Sequence, residues 1–150
     1  MSAKARRAGE SSLKILLMQK EWMPTEHEEQ VAVIDWANKI CGQRRELNLL
    51  YAVPNGGQRN KAVAGKLKAE GVKSGVSDLV LPVARGRYHG LYLEMKAKNG
   101  NLTTNQAWWL TELSRQGYCA LWARGADRAI YLLQWYLDGA SEHSLVMVNQ

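Results

Sequence analysis

The sequence predicts a single mixed α/β domain, and three observations carry that expectation. At 150 residues the chain has the size at which one hydrophobic core buries about two-thirds of the unfolded surface. Its hydrophobic share of 46% and charged share of 23% lie near the averages of globular proteins, which argues against disorder over most of the length. Segments of helical period alternate with short apolar runs in the order α-β-(α)-β-β-α-β-α, with no internal repeat or low-complexity stretch.

Residues 1–23 read as a basic arm expected to be flexible, because Lys4, Arg6 and Arg7 precede a Gly-Glu-Ser-Ser stretch and no period holds before Pro24. Residues 24–150 form the domain. Thr25 can cap a helix whose first turn holds Glu26, Glu28 and Glu29 and whose apolar side holds Val33, Ile34, Ala37, Ile40 and Cys41. Leu47 to Val53 reads as a strand, stopped by Pro54-Asn55-Gly56-Gly57. Residues 60–70 suit a helix capped by Asn60 and stopped by Gly71, with Val63, Ala64 and Leu67 on one side and lysines on the other. Leu79-Val80-Leu81 and Leu91 to Lys96 are spaced as antiparallel neighbours around a turn at Ala84 to Gly90. Thr103 opens a helix carrying Trp108, Leu110 and Leu113 and ended by Gly117. Tyr118 to Ala123 suits a buried strand, and Asp127 is placed to cap a last helix with Ile130, Leu133 and Trp135 to Leu137.

The net charge of +6 is localised. Residues 55–100 contain nine Lys or Arg against three acids, and the rest of the chain carries eleven of each. A basic central third is expected of a surface that meets phosphates, although many small proteins are basic for solubility alone. No apolar run approaches the roughly 18 residues of a membrane span, and Ile15 to Met18 is too short for a secretory signal core. Cys41 and Cys119 have neither CxxC spacing nor histidine neighbours, which disfavours a zinc site or a disulfide framework and suits a cytoplasmic protein.

The sharpest chemical feature is Asp78 before one strand and Glu94-Met95-Lys96 at the end of the next. Alternation puts Glu94 and Lys96 on one face of their strand and Leu93 and Met95 on the other. In hairpin neighbours Asp78 can then meet Glu94. Two carboxylates so close repel, and Mg²⁺ or Mn²⁺ relieves the repulsion with hard oxygen ligands and water. A lysine beside them can hold an attacking water or stabilise charge gathering on phosphorus. A Glu-x-Lys triplet alone turns up about once in every two chains of this length, so its context decides: an Asp before the preceding strand, a basic surround, and an acidic helix upstream.

Taken jointly, Glu26-x-x-x-Gln30 with Trp36, Pro54-Asn55-Gly56-Gly57-x-Arg59, Gly75-Val76-Ser77-Asp78, Leu93-Glu94-Met95-Lys96 and Gln106 beside Trp108-Trp109 closely resemble the VRR-NUC nucleases, in particular small stand-alone members of phages and bacteria. The resemblance covers about residues 24–137. It implies the PD-(D/E)xK restriction-endonuclease-like core (αβββαβ), with residues 60–70 as an extra helix between the first and second strands. By the same resemblance Asp78 and Glu94 are metal ligands, Lys96 is the catalytic lysine, and the Met95 carbonyl is a further ligand. Glu26 completes the acidic cluster through water, and Gln106 supports the site. Where the family commonly has proline before the aspartate, this chain has Ser77.

The function implied is a metal-dependent DNA endonuclease. Stand-alone relatives are dimers acting on branched DNA such as Holliday junctions, so a homodimer with branched DNA as partner is expected. A nonspecific or flap-directed nuclease and a non-catalytic basic DNA-binding module are the alternatives. Asn55, Arg59, Lys61, Lys66, Lys68, Arg85 and Arg87 are candidates for holding DNA. Some roles have two readings. Gln106 lies three after Thr103, the spacing of a capping box, so helix capping alone can explain it as well as support of the site. Glu29 rivals Glu26. Asn55 and its glycines can form only a turn. Trp108 and Trp109 point about 100° apart on a helix, so at most one easily faces the core and the other can cover a subunit interface or lie against DNA. His27, His89 and His143 lack ligand spacing.

Overall fold

A computed structural model describes residues 23–55 and 60–141, so the predicted arm, save Met23, and the segment containing Arg59 lie outside the described residues. Helix α1 spans Glu26–Ile40 and begins at a capping box: the Glu28 amide donates to Thr25 Oγ1 at 3.3 Å and the Thr25 amide donates to Glu28 Oε2 at 2.8 Å. Its buried residues Glu29, Val33 and Ala37 recur every four positions, one stripe of a helix.

The strand expected over Leu47 to Val53 is corrected. Arg45–Leu49 is a 3-10 helix, and strand β1 is only Tyr51–Ala52. The tight turn buries Leu47 in the core, and Asn48 Nδ2 donates back to the Arg45 carbonyl at 3.0 Å. Such a local side-chain bond offers the backbone an alternative to a ladder. Helix α2, Lys61–Ala69, is capped by Asn60 Oδ1, which accepts from the Val63 amide at 2.9 Å. Its apolar side buries nothing fully: no residue of α2 is buried, and Val63 is 44% exposed.

Strands β2 (Leu79–Leu81) and β3 (Leu91–Lys96), helix α3 (Thr104–Arg115), strand β4 (Cys119–Arg124) and helix α4 (Ala126–Leu137) follow. The sheet order is β1-β2-β3-β4; β1 and β2, and β2 and β3, pair antiparallel, and β3 and β4 pair parallel across the α3 connection. Leu79, Leu81, Leu91, Leu93, Met95, Cys119 and Ala123 join α1 and α4 in the core. By alternation Glu94 and Lys96 point away from that layer. The Tyr136 hydroxyl, fully buried in α4, donates to the Val83 carbonyl at 2.6 Å.

Asp127 does not cap α4. The cap position is Gly125 at φ +82°, without a side-chain bond, and Asp127 lies in the first turn. The Ala126 amide donates instead to Glu29 Oε2 of α1 at 2.7 Å. The capping acceptor comes from nearly a hundred residues away, beyond the reach of a local sequence signal.

Candidate active site

The β2–β3 register pairs Leu79 with Leu93, which sets Asp78 opposite Glu94 one position further along. The Asp78 carbonyl accepts from the Val53 amide at 2.8 Å, so the strand end is held from both neighbours, and Asp78 Oδ2 accepts from the Met95 amide at 2.8 Å. Glu94 is only 1% exposed. Its Oε1 accepts from Lys96 Nζ at 2.7 Å and from Gln106 Nε2. Lys96 Nζ also donates to the Met95 carbonyl at 2.7 Å and to Glu26 Oε2 at 3.2 Å.

A charge out of water is tolerated only when paired and hydrogen-bonded, and here the pairing is shared. Burial pushes the Glu94 carboxyl up to about 7, with the Asp78 charge adding to it and the Lys96 bond opposing it. Burial likewise raises Asp78, against the pull of the Met95 amide and of Lys96. Burial alone would lower Lys96, but its bond to Glu94 and the charges of Glu94 and Glu26 outweigh it and hold the lysine above its ordinary value. The site is thus a buried ammonium among three oxygen acceptors, beside a third carboxylate, Asp78.

Among the described residues no three acidic, histidine or cysteine side chains converge as a cage, and Glu26 joins the cluster through Lys96. The donors that remain, the Asp78 and Glu94 carboxylates and the Met95 carbonyl, are hard oxygens. They fit a Mg²⁺-like ion, which is ordinarily held by one or two carboxylates and keeps several waters.

Gln106 makes two contacts at once. Its Oε1 accepts from the Thr103 amide at 2.9 Å as the second half of a capping box, and its Nε2 donates to Glu94. Glu29 belongs to the α4 cap; its Oε1 is buried without a hydrogen-bond partner. Ser77 is buried, and its hydroxyl too lacks a partner, so it supplies the entry to β2 with no bond in place of the proline's rigidity.

The proposed DNA contacts are scattered. Asn55 Nδ2 donates to the Val76 carbonyl, pinning the turn to the segment that leads into Asp78. Lys61, Lys66 and Lys68 lie on the exposed α2, with Lys66 Nζ 3.9 Å from Glu70. The Arg87 guanidinium lies 5.3 Å from the Tyr88 ring centre. Arg85 is engaged internally: it pairs with Glu46 and donates to the carbonyls of Leu137 at 3.2 Å and Ala84 at 2.8 Å. That makes it a pin between loops, a role no local pattern announces. His89 packs edge-on against Tyr118, ring centres 5.7 Å apart; His143 lies outside the described residues.

The family model described as the VRR-NUC domain matches residues 16–127. No curated protein matches the chain. A solved structure described as a VRR_NUC domain protein is similar over 77% of this chain and 90% of its own, with 32% identity and a TM-score of 0.64.

Proposed function

The chain belongs to the VRR-NUC domain family, and we propose that it is a metal-dependent endonuclease that hydrolyses DNA phosphodiester bonds, selectively on branched DNA such as Holliday junctions. The family and the four-stranded α/β core mark a nuclease-type protein that processes DNA. What supports metal-dependent hydrolysis is one observation: Asp78, Glu94, the Met95 carbonyl and Lys96 gather at the adjoining ends of β2 and β3, with Gln106 and Glu26 bonded into the same cluster.

Asp78, Glu94 and the Met95 carbonyl would hold Mg²⁺ or Mn²⁺, which when bound supplies Lewis acidity toward the phosphate and acidifies water. Lys96, held positive by Glu94 and Glu26, orients the attacking water and offsets the charge that grows on the phosphoryl oxygens. Gln106 fixes the rotamer of Glu94 from a capped, rigid helix end. Glu26, at the exposed start of α1, gives the ammonium a second carboxylate partner. Exposed lysines of α2 would meet backbone phosphates, so binding would weaken with salt and follow shape more than sequence. Two copies related by a two-fold axis would place two sites on opposed strands of a junction.

Labelled four-way junction, flap, duplex and single-stranded DNA incubated with Mg²⁺ or Mn²⁺ test this. Symmetric paired cuts in the junction, lost in Asp78→Ala and Lys96→Ala, are the expected result. Cleavage by both variants at the rate of the parent would overturn the site. Binding without any metal-dependent cut would favour a non-catalytic module.

A further inference from the structure

A second feature lies one helical turn from this cluster. Between α2 and the N-terminal half of α3 runs a groove of about 710 Å³, lined by Leu67, Lys68, Val72, Lys73, Trp108 and Trp109 among others. Trp108 is 55% exposed there, an unusual cost for the largest side chain on a helix whose neighbour Leu110 is buried. It is not loosely placed. Its ring meets Trp109 edge to face, centres 5.5 Å apart, and Trp109 Nε1 donates to the Ser74 carbonyl at 3.0 Å, where Asn105 Nδ2 also donates at 2.8 Å. The loop packs so tightly that a Cβ on Gly75 (φ +81°) would come 2.5 Å from Asn105 Nδ2. Trp108 is therefore an exposed aromatic surface backed by a hydrogen-bonded neighbour, with two exposed lysines in the same groove.

We infer that this groove holds an unpaired nucleotide of the DNA substrate, its base stacked on Trp108 and its flanking phosphates met by Lys68 and Lys73. The inference rests on the nuclease reading and deepens it. A flat π surface between cations is the chemistry that binds single-stranded nucleic acid without sequence preference, and a paired, stacked duplex offers no free base face to it. The volume lies in the range of small-ligand pockets. The groove is also coupled to the cluster: Gln106, which bonds Glu94, is one position from Asn105 and one turn of about 5.4 Å from Trp109, and Ser74 leads within four residues to Asp78. A nucleotide seated there would mark a strand leaving a branch point beside the bond to be cut.

Fluorescence anisotropy of labelled oligo(dT) in EDTA reads this without any cleavage. Trp108→Ala is expected to weaken binding about tenfold or more, within the range for loss of one stacked base. Trp108→Phe should recover most of it, and Tyr131→Ala, an exposed aromatic on α4, should leave it unchanged. Replacing Lys68 and Lys73 with alanine should flatten the salt dependence. The inference is overturned if Trp108→Ala binds as tightly as the parent, if Phe fares no better than Ala, or if Trp108→Ala turns a dimer into a monomer in sedimentation with oligo(dT) affinity intact. If Trp108 dependence holds but no DNA is cut with either metal, the groove assignment stands and the hydrolytic reading falls.

Discussion

Asp78 and Glu94 stand opposite each other across β2 and β3, yet each is restrained by a different part of β3: Asp78 by the Met95 amide at 2.8 Å, Glu94 by the Lys96 ammonium at 2.7 Å. One acid is oriented by fixed backbone and the other by a side-chain charge, so their responses to perturbation should differ.

Glu94 should make the metal-free protein less stable as pH rises. Its folded value of about 7 exceeds the ordinary 4.5, so between those values the native state binds more protons than the unfolded chain. Its favourable contribution is whole below about pH 4.5 and is lost as pH climbs through 7. Chemical denaturation in EDTA, comparing the parent with Glu94→Gln, should show the parent losing on the order of 3 kcal/mol relative to the variant between pH 4.5 and 8.

Gln106 joins a structural role to a site role, and the two can be separated. Thr103→Ala removes only the cap and should cost about 1 kcal/mol of stability with cleavage retained. Gln106→Ala should cost a similar amount and also lower the cleavage rate, because Glu94 loses its second donor. Equal cleavage rates in the two variants would assign Gln106 to capping alone.

Glu29 should act on stability and not on chemistry. Glu29→Ala leaves the buried Ala126 amide without its acceptor and should cost about 1–3 kcal/mol, whereas Glu29→Gln keeps an oxygen at that place and should cost far less. Metal-dependent cleavage by either variant, corrected for folded fraction, should match the parent; a large drop in Glu29→Gln would return Glu29 to the catalytic set.

Tyr136→Phe deletes the hydroxyl that satisfies the Val83 carbonyl inside the core. A loss of about 1–2 kcal/mol in thermal or chemical unfolding is expected, with the site, which Tyr136 does not touch, unaffected.

Most of the fold was legible because its signals are local. Thr25 and Thr103 announce helix starts, and the alternation in Leu91 to Lys96 separates core from site. Local signals misled where a distant partner intervened. Leu47 turns into the core as part of a 3-10 helix, Glu29 replaces Asp127 as the cap of α4, and Arg85 is drawn to Glu46. Spacing also made the pairing of Asp78 with Glu94 readable, since both ends of a hairpin are close in the chain.

By itself, the sequence determined the family, the order of elements and the identities of the acids, the lysine and the glutamine that meet. Only the tertiary structure decided that Glu26 contacts Lys96 while Glu29 caps a helix, and that the Lys96 ammonium bonds both Glu94 and Glu26. The physical reason is range: propensity and periodicity act over a few residues, whereas the cost of a buried charge is settled by whichever partner the fold brings within hydrogen-bonding distance.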